Sequence, residues 1–336
     1  MRARSFLILS AVTLGVVVVT QVAVERQERP QTMIATGGPM FPGLIDRLGD
    51  VSAVVIRGPE RTLTIRRSDT GWGLAEYGDY PISAERVREL VSSLVQFERG
   101  EPKTTRADRY ARLGVEDVDA PGAKSKEVIL QTASGDPVAQ LIVGTPGSGI
   151  GLEGSTFVRI KGDAQAWLGR GTISPSVDAR DWADRRLVTV PLADIREVQI
   201  AHPDRSTVTV VREGDGASSF RLVELPKGAK LKRPDAAESM AQPFTDLSFD
   251  DLARGQEVEF PSGRTITVTV TQMDGGKVVL DLTDRGDGGR WLRFRQDGAP
   301  ATLPAAGRSL AFKVAAWKMT PVERKLGDLI EPSSGS

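Results

Sequence analysis

Asp178, Asp181 and Asp184 recur at every third position. On a helix that spacing lines three carboxylates along one side, close enough to share a cation or to divide acid and base roles between them. Arg180, Arg185 and Arg186 lie among them, and Asp178 suits the positive end of a helix dipole, so ion pairing on a solvated face accounts for the same spacing. Trp182 sits in the middle, a large aromatic of the kind that anchors an interface between two packed bodies. Asp178, Asp181, Trp182, Asp184 and Arg185 are therefore a candidate interaction or lobe-interface set. No catalytic, metal or cofactor-binding residue is assigned to them.

Other chemical signals are weaker. Gly149-Ile150-Gly151-Leu152-Glu153-Gly154 matches the GxGxxG string, whose glycines let backbone N–H groups approach a pyrophosphate where a strand turns into a helix. The residues that follow, Ser155 to Lys161, are β-rich, which points to a glycine-rich hairpin loop instead. His202 is the only histidine, beside Pro203 in a hairpin turn, and no Gly-x-Ser-x-Gly elbow exists to complete a Ser-His-Asp mechanism around it. Asp284 and Asp287 lack the ligand spacing of a calcium loop and read as a turn between strands. The chain has no cysteine, which removes disulfides, thiolate nucleophiles and Cys-based metal sites. Cofactors: none expected.

The elements that position these residues begin with two β-rich runs, Val51 to Ile56 and Thr62 to Arg66, around Gly58-Pro59-Glu60. They predict a hairpin, with a third strand over Gly71 to Tyr77 on which Trp72 and Leu74 share a face. Ser83 then stands where a helix cap belongs, and Val87, Leu90, Val91 and Leu94 follow the i, i+3, i+4, i+7 pattern. A shorter helix is expected over Ala107 to Leu113, ending at Gly114. Lys126 to Thr132 and Pro137 to Val143 predict a second hairpin, and Ser155 to Lys161 a further strand. Ser174-Pro175 reads as the start of a helix running to Leu187, the boundary between two halves.

The second half repeats this order. Asp50, Pro59, Glu60, Arg61 and Thr62 find Asp194, Pro203, Asp204, Arg205 and Ser206 at one constant offset, with Val54 and Ile56 matching Val198 and Ile200. Thr265 to Thr271 and Lys277 to Leu282 predict another hairpin, and Trp291-Leu292-Arg293-Phe294 resembles Phe157-Val158-Arg159-Ile160 at a different offset. A helical pair, Gly307 to Lys318 and Pro321 to Ile330, is expected at the end. Alternating strands dominate, so the fold class is α+β: an N-terminal transmembrane helix followed by two similar lobes of antiparallel sheet with packed helices.

The transmembrane helix rests on the apolar run Phe6 to Val24, about 28 Å long as a helix and close to the thickness of a bilayer core. Arg2 and Arg4 precede it, which keeps residues 1–5 as a cytoplasmic tip and sends the rest across the membrane. A cleaved secretory signal is the rival reading, but no small-x-small triplet precedes Glu25. Residues 25–40 read as a tether, 41–187 as a first α+β lobe ending in the boundary helix, 188–330 as a second lobe and 331–336 as a tail. Among the 336 residues Lys and Arg equal Asp and Glu at 44 each, with no basic stripe, so nucleic acid is an unfavoured partner.

The Gly71-Trp72 strand, the Tyr80-Pro81-Ile82-Ser83 lead into a helix, the strand ending Leu141-Ile142-Val143-Gly144, Phe157-Val158-Arg159, and above all Asp181-Trp182-Ala183-Asp184-Arg185-Arg186-Leu187 together resemble the bacterial family called domain of unknown function 4340, over roughly residues 45 to 300. The glycine-rich stretch Gly144 to Gly154 departs from that pattern. The resemblance implies a membrane-anchored protein found with ABC-type transport components related to gliding-motility systems, and it implies no catalytic residue. The resulting expectation is a non-catalytic accessory protein, single-pass in the bacterial cytoplasmic (inner) membrane with its bulk in the periplasm or extracytoplasmic space. Its expected partners are the bilayer, through residues 6–24, and a membrane protein of ABC-transporter type. Two alternatives are a solute- or lipid-binding module with a cavity between lobes and a cell-wall hydrolase using paired carboxylates.

Overall fold

Strands rich in β-branched and aliphatic residues dominate the regular structure of the molecule. The computed structural model describes residues 37–69, 71–149, 151–214 and 220–331. The expected anchor over 6–24, the tip before it, the tether up to residue 36 and the tail after Glu331 lie outside the described residues. No helix among the described residues is long and apolar enough to cross a membrane.

In chain order the first half contributes β1 (Ala53–Arg57), β2 (Thr62–Ser68), β3 (Gly71–Leu74), β4 (Tyr80–Pro81), helix α1 (Ala84–Gln96), β5 (Glu98–Thr104), β6 (Lys126–Gln131), β7 (Pro137–Pro146), β8 (Ser155–Ile160) and β9 (Ala166–Arg170). The second contributes β10 (Arg186–Val188), β11 (Ile195–Ala201), β12 (Thr207–Arg212), β13 (Phe220–Leu222), β14 (Leu247–Ser248), β15 (Asp251–Arg254), β16 (Ile266–Gln272), β17 (Lys277–Asp284), β18 (Gly289–Phe294) and β19 (Leu310–Ala315), then helices α2 (Ala316–Glu323) and α3 (Leu326–Leu329). The first sheet runs β4-β3-β2-β1-β6-β7-β8-β9-β5 and the second β13-β12-β11-β16-β17-β18-β19-β15, antiparallel throughout. Adding ten to each label turns one order into the other. Only β4 lacks a counterpart in the second sheet, because β14 leaves it to pair with β10. The fold is α+β.

The two hairpins matched in the sequence occupy equivalent places. Val54 and Ile56 of β1 oppose Ile65 and Leu63, while Val198 and Ile200 of β11 oppose Val210 and Val208, and all eight side chains are buried. The matched strands β8 and β18 share a device on the outer face of each sheet. Arg159 stacks 4.6 Å from the ring centre of Tyr110, and Arg293 stacks 4.4 Å from that of Phe260. Each arginine is also paired with an aspartate, Asp117 or Asp281. One continuous apolar core runs through both halves. At its seam Tyr80 from the first half meets Phe249 and Phe312 from the second, with ring centres 5.1 to 6.0 Å apart and all three rings fully buried.

Several expectations need correcting. No helix forms over 174–187: the segment has one 3-10 turn at Ala179–Asp181 and then enters β10. Its side chains explain why. The Asp178 carboxylate accepts the Arg180 N–H, Asp184 accepts the Arg186 N–H and the Ser176 hydroxyl accepts the Asp178 N–H, local bonds that compete with a helical ladder. The expected helix over Gly307 to Lys318 is interrupted by strand at Leu310–Ala315, because that segment is needed between β18 and β15 to complete the second sheet. Pro321 lies inside α2 rather than starting a helix, and the chain breaks again at Arg324 and Lys325 before α3. Residues 37–40, expected to belong to the tether, are bonded to the body instead, since Gly37 donates to Arg99 O, Arg99 to Gly38 O and Met40 to Phe97 O. Residues 37–40 are thereby tied to β5.

Candidate functional site

The segment from Thr172 to Arg186 is a strap that passes from one sheet to the other. It is pinned to the first half where Ser83 N–H donates to Trp182 O, Asp184 N–H to Pro81 O and the Tyr80 hydroxyl to Asp184 O, at 3.1 to 3.3 Å. It is pinned to the second half where Phe249 N–H donates to Arg185 O at 3.0 Å. Trp182 is 6% exposed, belongs to the shared core, and donates its indole N–H to Ser176 O at 2.9 Å. It holds the strap down with its ring and closes the turn with its nitrogen.

All five residues singled out from the sequence lie on this strap, but they do not form one carboxylate face. Asp178 grips the guanidinium of Arg180, two residues on, with Nε 2.8 and 2.9 Å from its oxygens. Asp184 does the same to Arg186, with Nη2 at 2.9 Å. These arginine hydrogen bonds hold both carboxyls below the usual carboxylate range, against the opposing effect of partial burial. Asp181 instead accepts the Ser176 hydroxyl at 2.6 Å. Arg185 turns its guanidinium onto the Arg180 carbonyl, Nε at 3.2 and Nη2 at 2.8 Å.

Three clefts meet at the strap. One of about 600 Å³ lies between it and α1, reaching Lys126. A second of about 500 Å³ continues from the first through Arg86, Asp181 and Trp182 toward Arg185 and Arg186. The third, about 430 Å³, opens at the seam of the two halves among Arg61, Glu76, Tyr77, Asp178, Arg180 and Asp251. Burial, reinforced by the charges of Asp251 and Glu257, raises the Tyr77 phenol above its ordinary value, so it stays protonated at neutral pH. A glycosidase of the paired-carboxylate type needs one carboxyl held above its ordinary value as the acid. In the clefts the two shifted carboxyls, Asp178 and Asp184, are both lowered.

The other sequence signals resolve simply. Gly149, Gly151 and Gly154 adopt left-handed angles in the β7–β8 loop, and strand β8 follows where a dinucleotide fold would need a helix. His202 is buried in the β11–β12 turn, its main chain bonded to Ser206 and Arg205. Asp284 and Asp287 close the β17–β18 turn on Gly286 N–H and the Trp291 indole. Among the described residues no group of three or more His, Cys, Asp or Glu side chains is arranged to hold a metal ion. Sequence reasoning missed Arg86 and Glu89. Their signal was present, since both fall beside the Val87–Leu90–Leu94 stripe on the solvent side of the helix. Asp251 carried no such signal, because only the packing of β15 against the strap brings it to the cleft.

Fold and site together define a class: an α+β protein of two antiparallel sheets with one strand order, joined by a tryptophan-anchored strap. Within that class, the family model described as Domain of unknown function (DUF4340) matches residues 72–264, more than half of the chain, and the chain belongs to that family. The match runs from β3 through the strap to the threshold of β16. No curated protein and no solved structure matches the chain.

Proposed function

We propose that this chain is a non-catalytic interaction component of the cell envelope, held by a single span at residues 6–24 with its body outside the cytoplasm, and that it serves an ABC-type transport complex. The observation that carries the non-catalytic part is the state of the strap. Within its clefts Asp178 and Asp184 are each neutralised by an arginine two residues away, an arrangement that fixes shape and holds these two carboxyls ionised rather than poised as acids. The apolar run and its preceding arginines support the anchor, and the resemblance of the Asp181 to Leu187 segment to its family supports the transport association. Packing at the seam disfavours a solute carrier with a cavity between lobes, since Tyr80, Phe249 and Phe312 fill its centre.

Crosslinking in native membranes tests this reading. A photoreactive residue placed at exposed Arg185 should capture an integral membrane protein of a transport complex, and one at Arg47, far along the chain in the 3-10 turn Ile45–Asp50, should not. Recovery of the uncrosslinked chain alone at both positions overturns it.

A further inference from the structure

The two clefts on the α1 side of the strap form one groove, sharing Arg86, Asp181 and Trp182. Its cations fall into two kinds. Arg180 and Arg186 are neutralised by Asp178 and Asp184. Arg86, Lys126 and Arg185 have no carboxylate partner among the described residues. Lys126 and Arg185 are nevertheless fixed: the ammonium donates to Pro175 O at 2.8 Å, and the guanidinium donates to Arg180 O at 2.8 and 3.2 Å. A neutral carbonyl holds a cation in place without cancelling its charge, so two full positive charges are set in advance along one wall. Arg86, exposed on α1, stands at the junction of the two clefts. Glu89 and Asp181 are the opposing charges: Glu89 lines the Lys126 end, and Asp181, common to both clefts, stands at the junction with Arg86. The positive excess therefore lies toward the Arg185 mouth, beyond the junction that Arg86 shares with Asp181.

We infer that this groove is a docking site for an acidic, carboxylate-bearing peptide segment of a partner protein. This rests on the interaction reading proposed above. Arginine recognises carboxylate through paired N–H donors, and a groove walled by a helix and a main-chain strap suits an extended chain. Arg185 and Arg86 receive the carboxylates, while Lys126 takes one at the far end and Glu89 beside it disfavours a second.

The test uses the full chain in neutral detergent and a fluorescent peptide of repeated Glu-Gly-Ser, with a Gln-Gly-Ser peptide as comparison. Anisotropy should show the glutamate peptide binding at least about tenfold more tightly, with the advantage lost as salt is raised. Arg86→Glu with Arg185→Glu should lower affinity at least about tenfold, and Lys126→Gln less, whereas Arg88→Glu on the same helix should leave it within about twofold. Equal binding of both peptides, an equal loss with Arg88→Glu, or a preference for anionic lipid vesicles over the peptide overturns the proposal. Flotation of the same preparations with membranes reads the anchor separately, so a failed anchor and a failed groove give different results.

Discussion

At the residue scale the molecule separates charges that shape it from charges that remain available. The Asp178–Arg180 and Asp184–Arg186 pairs are largely solvent-facing and make turns rather than a core. Replacing Asp178 by Asn is expected to cost under about 1 kcal/mol, whereas Trp182→Ala removes a buried ring and should cost about 3–5 kcal/mol, both read from urea denaturation. His202 behaves differently again. Burial is the main cause that pushes its imidazole below the ordinary value, while a hydrogen bond to the Arg324 carbonyl and the charge of Asp204 pull the other way. Its Nε2 is buried without a partner among the described residues. With the folded value lowered, the unfolded chain binds the proton more readily. Stability is then complete above about pH 6.5 and declines as pH falls below it toward the folded value. The sole histidine gives a single imidazole resonance, so an NMR titration together with denaturation at pH 7.5 and 5.5 checks the sign, and His202→Phe should flatten that interval. Protonation of Asp204, whose carboxyl is held low chiefly by Lys325, adds a further loss only at lower pH.

At the element scale the strands were legible and the strap was not. Hairpins such as β1–β2, β6–β7 and β16–β17 announce themselves because their β-branched and aliphatic runs flank glycine-containing turns, and α1 because Val87, Leu90 and Leu94 form a stripe. β5 carries no such pattern in Glu98–Thr104. It is an edge strand held by close approach: a Cβ on Gly100 would fall 2.2 Å from the Leu168 carbonyl oxygen. Gly100→Val should therefore loosen β5 from β9, seen as faster amide exchange in Glu98–Thr104 with little change in β6 and β7. Ser174 to Leu187 read as a helix because Ser-Pro and spaced aspartates mimic a helix start, while the side chains that divert the backbone into a strap act through bonds that spacing alone does not reveal. β19 was lost for the opposite reason. Its place between β18 and β15 is set by long-range pairing, which overrides local pattern. The candidate residues all lie on one segment, and Arg86 and Lys126 come into the same groove only because the strap lies beside α1.

At the scale of the whole molecule the seam decides whether two lookalike halves behave as one. Tyr80, Phe249 and Phe312 share a single core, and the strap bonds to both halves, so denaturation should be one cooperative transition despite the repeated strand order. Phe249→Ala should lower stability by about 3–5 kcal/mol and, by weakening the seam, separate that transition into two. A single transition at lower denaturant instead means the halves are tied by the strap as much as by the rings. The other end of the molecule sets where a soluble body can begin. Because Gly37 and Met40 hydrogen-bond to the Phe97–Arg99 segment and Met40 is fully buried, a chain cut before Gly37 should stay folded in solution, while one cut after Met40 exposes that edge and opens a hole beneath it. Size-exclusion chromatography and thermal melting of the two truncations separate the outcomes. Equal behaviour shows that β5 needs no second neighbour beyond β9. Aggregation of both shows that the body depends on residues before 37, and with that the picture of an independent domain on a simple tether is lost.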